Sequence, residues 1–260
     1  MNSLFPSIVS RSQSSGLMNF FVPIISIVLT LITGSIIFIL LGFDPAYALY
    51  TFFISPISST YGISELFVKA TPLALIAIGL SYCFKNNIYN IGAEGQLTMG
   101  AIFGGGIGIL FHDTNAFWLL PLMIFAGAIG GALWGLIPAI LKTKFNTNEI
   151  LTSLMLVYVA LFILDYLVVG PWKDPFGYSF PKSRPFSESG RMPLLFDGLR
   201  VHFGLIITLF LIFVSWFIFS KTIFGFQLKV SGYSPKAARY AGFNQTTLVI
   251  FAFAICGAFA

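Results

Sequence analysis

Charge is scarce in this 260-residue chain. Fourteen Lys and Arg and nine Asp and Glu make up 9% of it, against 57% apolar residues and a mean hydropathy of +0.91. A soluble domain carries roughly 25% charged residues, so too few ionised side chains are present to coat a globule, and a water-soluble fold is excluded. Cysteine is nearly absent as well. Cys83 and Cys256 lie far apart inside apolar runs with no C-x-x-C spacing, which makes them small core residues. The only histidines, His112 and His202, have no Cys, His or Glu at ligand spacing. Neither a metal nor a cofactor is therefore expected. No G-x-x-x-x-G-K-[ST] run occurs, so the chain cannot hold ATP in a P-loop. No grouping of His, Asp and Ser has the spacing of an active site, and no catalytic residue is assigned. The net charge of +5 is scattered between apolar runs, whereas nucleic-acid binders cluster Lys and Arg on one face. Nucleic acid is excluded as a partner.

What the chain does have is long hydrophobic runs. A hydrocarbon core of about 30 Å needs roughly 20 apolar residues at 1.5 Å each. A polar, Ser-rich N-terminal tail (1–17) is followed by a transmembrane domain (18–260) of about seven apolar segments, near 18–41, 65–84, 97–111, 116–141, 149–170, 203–220 and 247–260. The first is too long for the apolar core of a signal peptide. The stretch 42–64, with Asp44-Pro45 and Ser55-Pro56, reads as a turn-rich connector. With the N-terminus inside, eight Lys and Arg fall inside and six outside, five of the six in one long outer loop, 171–200. The positive-inside rule favours that orientation. Five prolines keep the outer loop from forming a long helix. The last segment is short of a full span, which points to a fragment of a longer protein. The expected fold is an all-α, polytopic transmembrane helix bundle, embedded in membrane lipid.

Glycines recur at every fourth position, at Gly100, Gly104 and Gly108 and again at Gly127, Gly131 and Gly135. That spacing puts three glycines on one helix stripe, where backbones approach closely. The third and fourth segments are expected to pack through these stripes. Residues 86–96, NNIYNIGAEGQ, break the apolar pattern. Glycine disfavours helix by about 1 kcal/mol and Asn competes for backbone hydrogen bonds. Non-helical backbone survives at membrane depth only against protein or a water-filled cavity, and broken helices of this type build transporter sites. The alternative is a cytoplasmic turn between two spans, for which Lys85 argues. Of the isolated acids, Asp165 falls near the outer interface, and Glu149 suits the first turn of its helix. The basic cytoplasmic loop, 221–246, contains a short helix signature: Ser234 as N-cap, Pro235 at the first helical position and Gly242 as C-terminal cap. About seven residues cannot hold a helix alone in water. Something must pack on it, and Ala237, Ala238 and Ala241 offer a small face.

The run Tyr89-Asn90-Ile91-Gly92-Ala93-Glu94-Gly95-Gln96 resembles the signature of permease subunits of nucleoside and simple-sugar ATP-binding-cassette importers. These belong to the family that also transports ribose and branched-chain amino acids. Three further stretches follow in the family's order. They are Thr147-Asn148-Glu149-Ile150 with Leu154-Met155-Leu156, then Gly170-Pro171-Trp172-Lys173-Asp174-Pro175, then Ala237-Ala238-Arg239-Tyr240-Ala241-Gly242. The similarity covers about residues 65–245. It implies a transport subunit, not an enzyme, in a bacterial inner (plasma) membrane. ATP-driven alternating access would be powered by a separate ATP-binding subunit. A second, non-identical permease subunit and a periplasmic or lipoprotein substrate-binding protein are the other implied partners. Asn90, Gly92, Glu94 and Gln96 would line the solute path. The segment with Gly232, Ser234, Pro235, Ala237, Ala238, Arg239 and Gly242 would be the coupling helix that seats in the ATP-binding subunit. The competing reading is an ion-coupled secondary transporter of a small polar solute, with Glu94 or Asp165 carrying protons.

Overall fold

The computed structural model describes residues 16–177 and 180–260. Ten α-helices occur among them: α1 (Gly16–Leu40), α2 (Pro45–Leu49), α3 (Thr60–Lys85), α4 (Ala93–Leu110), α5 (Leu119–Phe145), α6 (Glu149–Val169), α7 (Gly204–Lys221), α8 (Ile223–Tyr233), α9 (Pro235–Tyr240) and α10 (Gln245–Phe259). No strand is present among the described residues, only isolated bridges at Lys173–Ser183 and Leu194–His202. The fold is the all-α bundle that the composition calls for. Five helices are long and apolar enough to cross a membrane: α1, α3, α5, α6 and α7. The other two apolar segments become α4, diluted by six glycines and a polar first turn, and the 15-residue α10.

The chain divides into two compact units, 1–63 and 64–260. In the first, α1 buries none of its residues; a helix apolar all round suits lipid. The connector expected at 42–64 proves largely helical. Asp44 accepts the Ala46 N–H at 2.9 Å and Pro45 occupies the first turn of α2. One π-turn (Tyr50–Ile54) and one 3-10 turn (Ser55–Ile57) then lead into α3. Asp-Pro here is a helix start, not a stop.

In the second unit α4 and α5 pack through glycine, as expected, but the α5 stripe is divided between two neighbours. Gly100 faces the backbone of Gly127, where a Cβ would lie 3.1 Å from the Gly127 carbonyl oxygen. Gly131 and Gly135 lie chiefly toward α10, against the carbonyls of Gly257 and Phe253, with Gln96 of α4 also beside them. Helix α5 is thus the central post, with α4 and α10 on two sides. One core cluster joins α3, α5, α8 and α10 through Tyr82, Cys83, Ala139, Leu228, Phe253 and Cys256. A smaller one joins α4 and α6 through Met99, Ile102 and Ala160, with Trp134 and Trp172 against it.

The 171–200 stretch contains a single 3-10 turn, Glu188–Gly190, among its described residues. It lies on the bundle end formed by the α4–α5 turn. Ser189 donates to the Thr114 carbonyl at 3.1 Å and accepts the Ala116 N–H at 3.3 Å. Phe186 fills the space over Gly108. Arg200 pairs with Glu65 of α3 at 3.2 Å. At the opposite ends of α5 and α6, Lys142 pairs with Glu149 at 2.9 Å across the turn, and Asn148 caps α6 by accepting the Ile150 N–H at 2.9 Å. Asn148 is the cap, Glu149 stands in the first turn as expected, and its carboxylate also holds the preceding helix. Asp165 is exposed on α6.

Candidate functional site

The break between α3 and α4 is seven residues, 86–92; Ala93 to Gln96 already form the first turn of α4. Two bonds to the Cys83 carbonyl, from the Asn86 and Ile88 N–H groups, close the end of α3, and Asn87 takes a left-handed conformation (φ 55°). Asn tolerates that region better than most residues. The new helix starts because Asn90 Oδ1 accepts the Gly92 N–H at 2.9 Å, an Asn turn that fixes the backbone entering α4.

Three of the four residues expected along the path come together. Asn90 and Gln96 are almost fully buried. Asn90 Nδ2 donates to Gln96 Oε1 at 3.1 Å and to Cys256 Sγ at 3.2 Å. The Ile91 N–H donates to Ser153 Oγ at 3.2 Å, and Gly92 lies against the backbone of Ser153, where a Cβ would come 2.6 Å from its carbonyl oxygen. Only glycine fits there. The break is thus tied to α6 near its start and to α10 near its end. Glu94 stands apart from this cluster and is exposed.

Cys256 was legible only as an isolated core residue. In the fold it joins Cys83 in one core cluster and accepts from Asn90. Nothing in the sequence spacing signals that meeting, because it depends on how α10 crosses α3. Among the described residues no group of three or more His, Cys, Asp and Glu could hold a metal ion.

The basic stretch 221–246 is two helices. Thr222 caps α8, its Oγ1 accepting the Gly225 N–H at 3.2 Å; a Thr followed by spaced apolar residues (Ile223, Phe226, Leu228) is the sequence signal for that start. Ser234 caps α9 by accepting the Ala237 N–H at 3.3 Å, with Pro235 at its first position. Gly242 takes φ +77° just beyond its end, the left-handed stop that glycine supplies. Gln245 braces the turn, donating to the Pro235 carbonyl at 2.8 Å and accepting from Arg239 Nε at 3.4 Å. The small face is split. Ala238 is fully buried, whereas Ala237 and Ala241 are exposed. Beside them Tyr240 is 97% and Tyr233 89% exposed. Gly232 faces inward, and a Cβ on it would overlap the Lys85 carbonyl oxygen. A cavity of about 450 Å³ opens beside this contact, lined by Lys85, Asn87, Lys229, Gly232 and Tyr233.

Residues 62–260 match a family profile described as branched-chain amino acid transport system / permease component. Among curated proteins, the chain is 35% identical to the glucose ABC transporter permease protein TsgB13 of Haloferax volcanii, covering 92% of this chain and 65% of that protein. It is 32% identical to the guanosine ABC transporter permease protein NupP of Bacillus subtilis, covering 92% and 69%. With the nucleoside ABC transporter permease protein NupB of Lactococcus lactis it shares 30% identity over 92% and 68%. The chain spans about two thirds of the length of these relatives. No solved structure matches. With a profile match over most of its length and relatives of this identity, the chain belongs to the permease-component family of branched-chain amino acid transport systems.

Proposed function

We propose that the chain is a transmembrane permease subunit of an ATP-binding-cassette importer, moving nucleosides or related simple sugars inward by ATP-driven alternating access. The observation that carries this is the likeness to TsgB13 and NupP, which runs across 92% of the chain. A bundle of membrane-crossing helices with no P-loop sequence suits a subunit whose energy comes from elsewhere. The partners in this reading are an ATP-binding subunit, a second and non-identical permease, and a substrate-binding protein that meets the 171–200 surface.

The capped helix α9 is the contact for the ATP-binding subunit. Its inward residue, Ala238, anchors it, and Ala237 and Tyr240 are exposed beside Arg239, which Gln245 holds at the turn, so this face is open to a groove. The solute path runs past the 86–96 segment. Asn90, Gly92 and Gln96 hold that wall in shape, and exposed Glu94 offers its carboxylate to hydroxyls. Because Glu94 lies on the surface of this subunit, the second permease closes the path opposite it. Loading specificity rests with the delivering protein, so the wall need not bind tightly.

The test is uptake into proteoliposomes holding this subunit with its ATP-binding, permease and receptor partners. Radiolabelled guanosine and glucose are offered with and without internal ATP. The reading expects uptake of one or both only with ATP, and uptake of neither contradicts it. In the same vesicles Arg239→Glu should uncouple ATP hydrolysis from uptake while membrane insertion stays normal.

A further inference from the structure

Four features meet where α3 ends. The Gly232 backbone of α8 sits directly on the Lys85 carbonyl, and a Cβ there would also lie 3.2 Å from the Asn86 carbonyl carbon. The Asn86 side chain is buried, 5% exposed, yet neither its Oδ1 nor its Nδ2 has a hydrogen-bond partner among the described residues. Asn87 holds a left-handed backbone. The cavity beside Lys85 and Asn87 leaves room on one side of the joint. Beyond it, the chain is tied firmly to Ser153 and Cys256. Buried amides are nearly always bonded, so an orphan at a strained joint calls for a reason. Strained backbone persists where the surroundings hold it, and such places belong to switching segments.

We propose that Lys85 to Asn87 is the receiver through which α8 and α9 move the α3–α4 joint. In this scheme Asn86 is a positioning residue, its amide unpaired in the present conformation and hydrogen-bonded in the conformation of opposite access. The proposal rests on the importer reading and deepens it. An interaction made in only one of two states shifts their balance by its differential free energy. Leucine is close to asparagine in shape but has no polar group to leave unpaired. Asn86→Leu therefore favours the present conformation twice, by removing the orphan here and the bond there. Gly232 transmits because its missing side chain lets backbone bear on backbone.

The expected result for Asn86→Leu, in the full importer complex, has two opposite signs. Heat stability rises, while uptake falls by about tenfold, the weight of one hydrogen bond between the two states. Asn86→Ser, which keeps a donor and an acceptor, retains more uptake than the leucine variant. Parental uptake in Asn86→Leu overturns the proposal. So does a fall in heat stability together with uptake, which marks a structural residue. Hydrogen exchange over residues 84–92 gives a second measure: Gly232→Ala should speed exchange there, and unchanged exchange overturns the contact's role. If the parent complex shows no ATP-driven uptake, the importer reading falls first, while the stability and exchange results still judge the joint.

Discussion

Asn90 uses both ends of its side-chain amide to hold the α3–α4 break. Its carbonyl starts α4 and its amide reaches Gln96 and Cys256, so one side chain ties three parts of the bundle. Asn90→Ala removes the Asn turn that leads into α4 and strands the Gln96 oxygen in a buried place. We expect a loss of about 2 kcal/mol, from the lost hydrogen bonds and the cost of an unpaired buried acceptor, read as a lower unfolding midpoint in detergent. Asn90→Asp keeps the acceptor for Gly92 but loses both donations, so it should not restore the parent midpoint. A glycine comparison isolates close packing. A Cβ at Gly131 overlaps the Gly257 carbonyl, whereas one at Gly105 meets only the Phe186 ring at an ordinary 3.5 Å. Gly131→Ala should cost about 1–3 kcal/mol, the usual range for overpacking, and Gly105→Ala should leave the midpoint close to the parent's. Equal effects at the two sites would contradict the assignment of Gly131 to the α5–α10 contact. The glycine periodicity was legible in the sequence. Which neighbour each glycine faces was not, because a stripe on one helix does not say where the next helix crosses it.

At the scale of elements, the spans were readable because a bilayer demands long apolar runs, and α1, α3, α5, α6 and α7 follow those runs within a few residues at most ends. The α9 helix was readable because Ser234, Pro235 and Gly242 each have a local chemical reason to stand where they do. Two elements were missed for local reasons too. Asp44-Pro45 has the composition of a turn although it starts α2, and Thr222 lies in a basic stretch that reads as a loop although it caps α8. The pairings Lys142–Glu149, Arg200–Glu65 and Ser189–Thr114 were beyond reach, since each depends on how the folded chain brings separate segments together. The split alanine face of α9 gives a prediction at this scale. Ala237→Glu should leave the permease folded and abolish copurification of the ATP-binding subunit. Ala238→Glu should instead lower the amount of folded permease, because Ala238 is fully buried and a carboxylate in its place must be desolvated. Matching outcomes for the two variants would show that the faces are not distinct.

For the whole molecule, the contacts divide by end. Lys142–Glu149, Gly232–Lys85 and the α8–α9 pair involve one set of helix ends, and Ser189–Thr114, Phe186–Gly108 and Arg200–Glu65 involve the other. The N-inside threading puts the first set in the cytoplasm, where an ATP-binding partner would sit, and the second outside, facing a delivering receptor. A cysteine placed at Tyr240, almost wholly exposed, should then react with an impermeant maleimide only in inverted vesicles. Labelling in intact cells would reverse the threading. The composition made a membrane protein unavoidable, but the choice between an ATP-driven and an ion-driven carrier lay in the motifs, and it bears on everything proposed for α9. The most direct measurement offers the same reconstituted vesicles either ATP or a proton gradient alone. Uphill solute uptake with ATP and the full set of subunits, and none with the gradient, is the predicted result. Uphill uptake by this subunit alone, driven by the gradient without any nucleotide, would contradict the account.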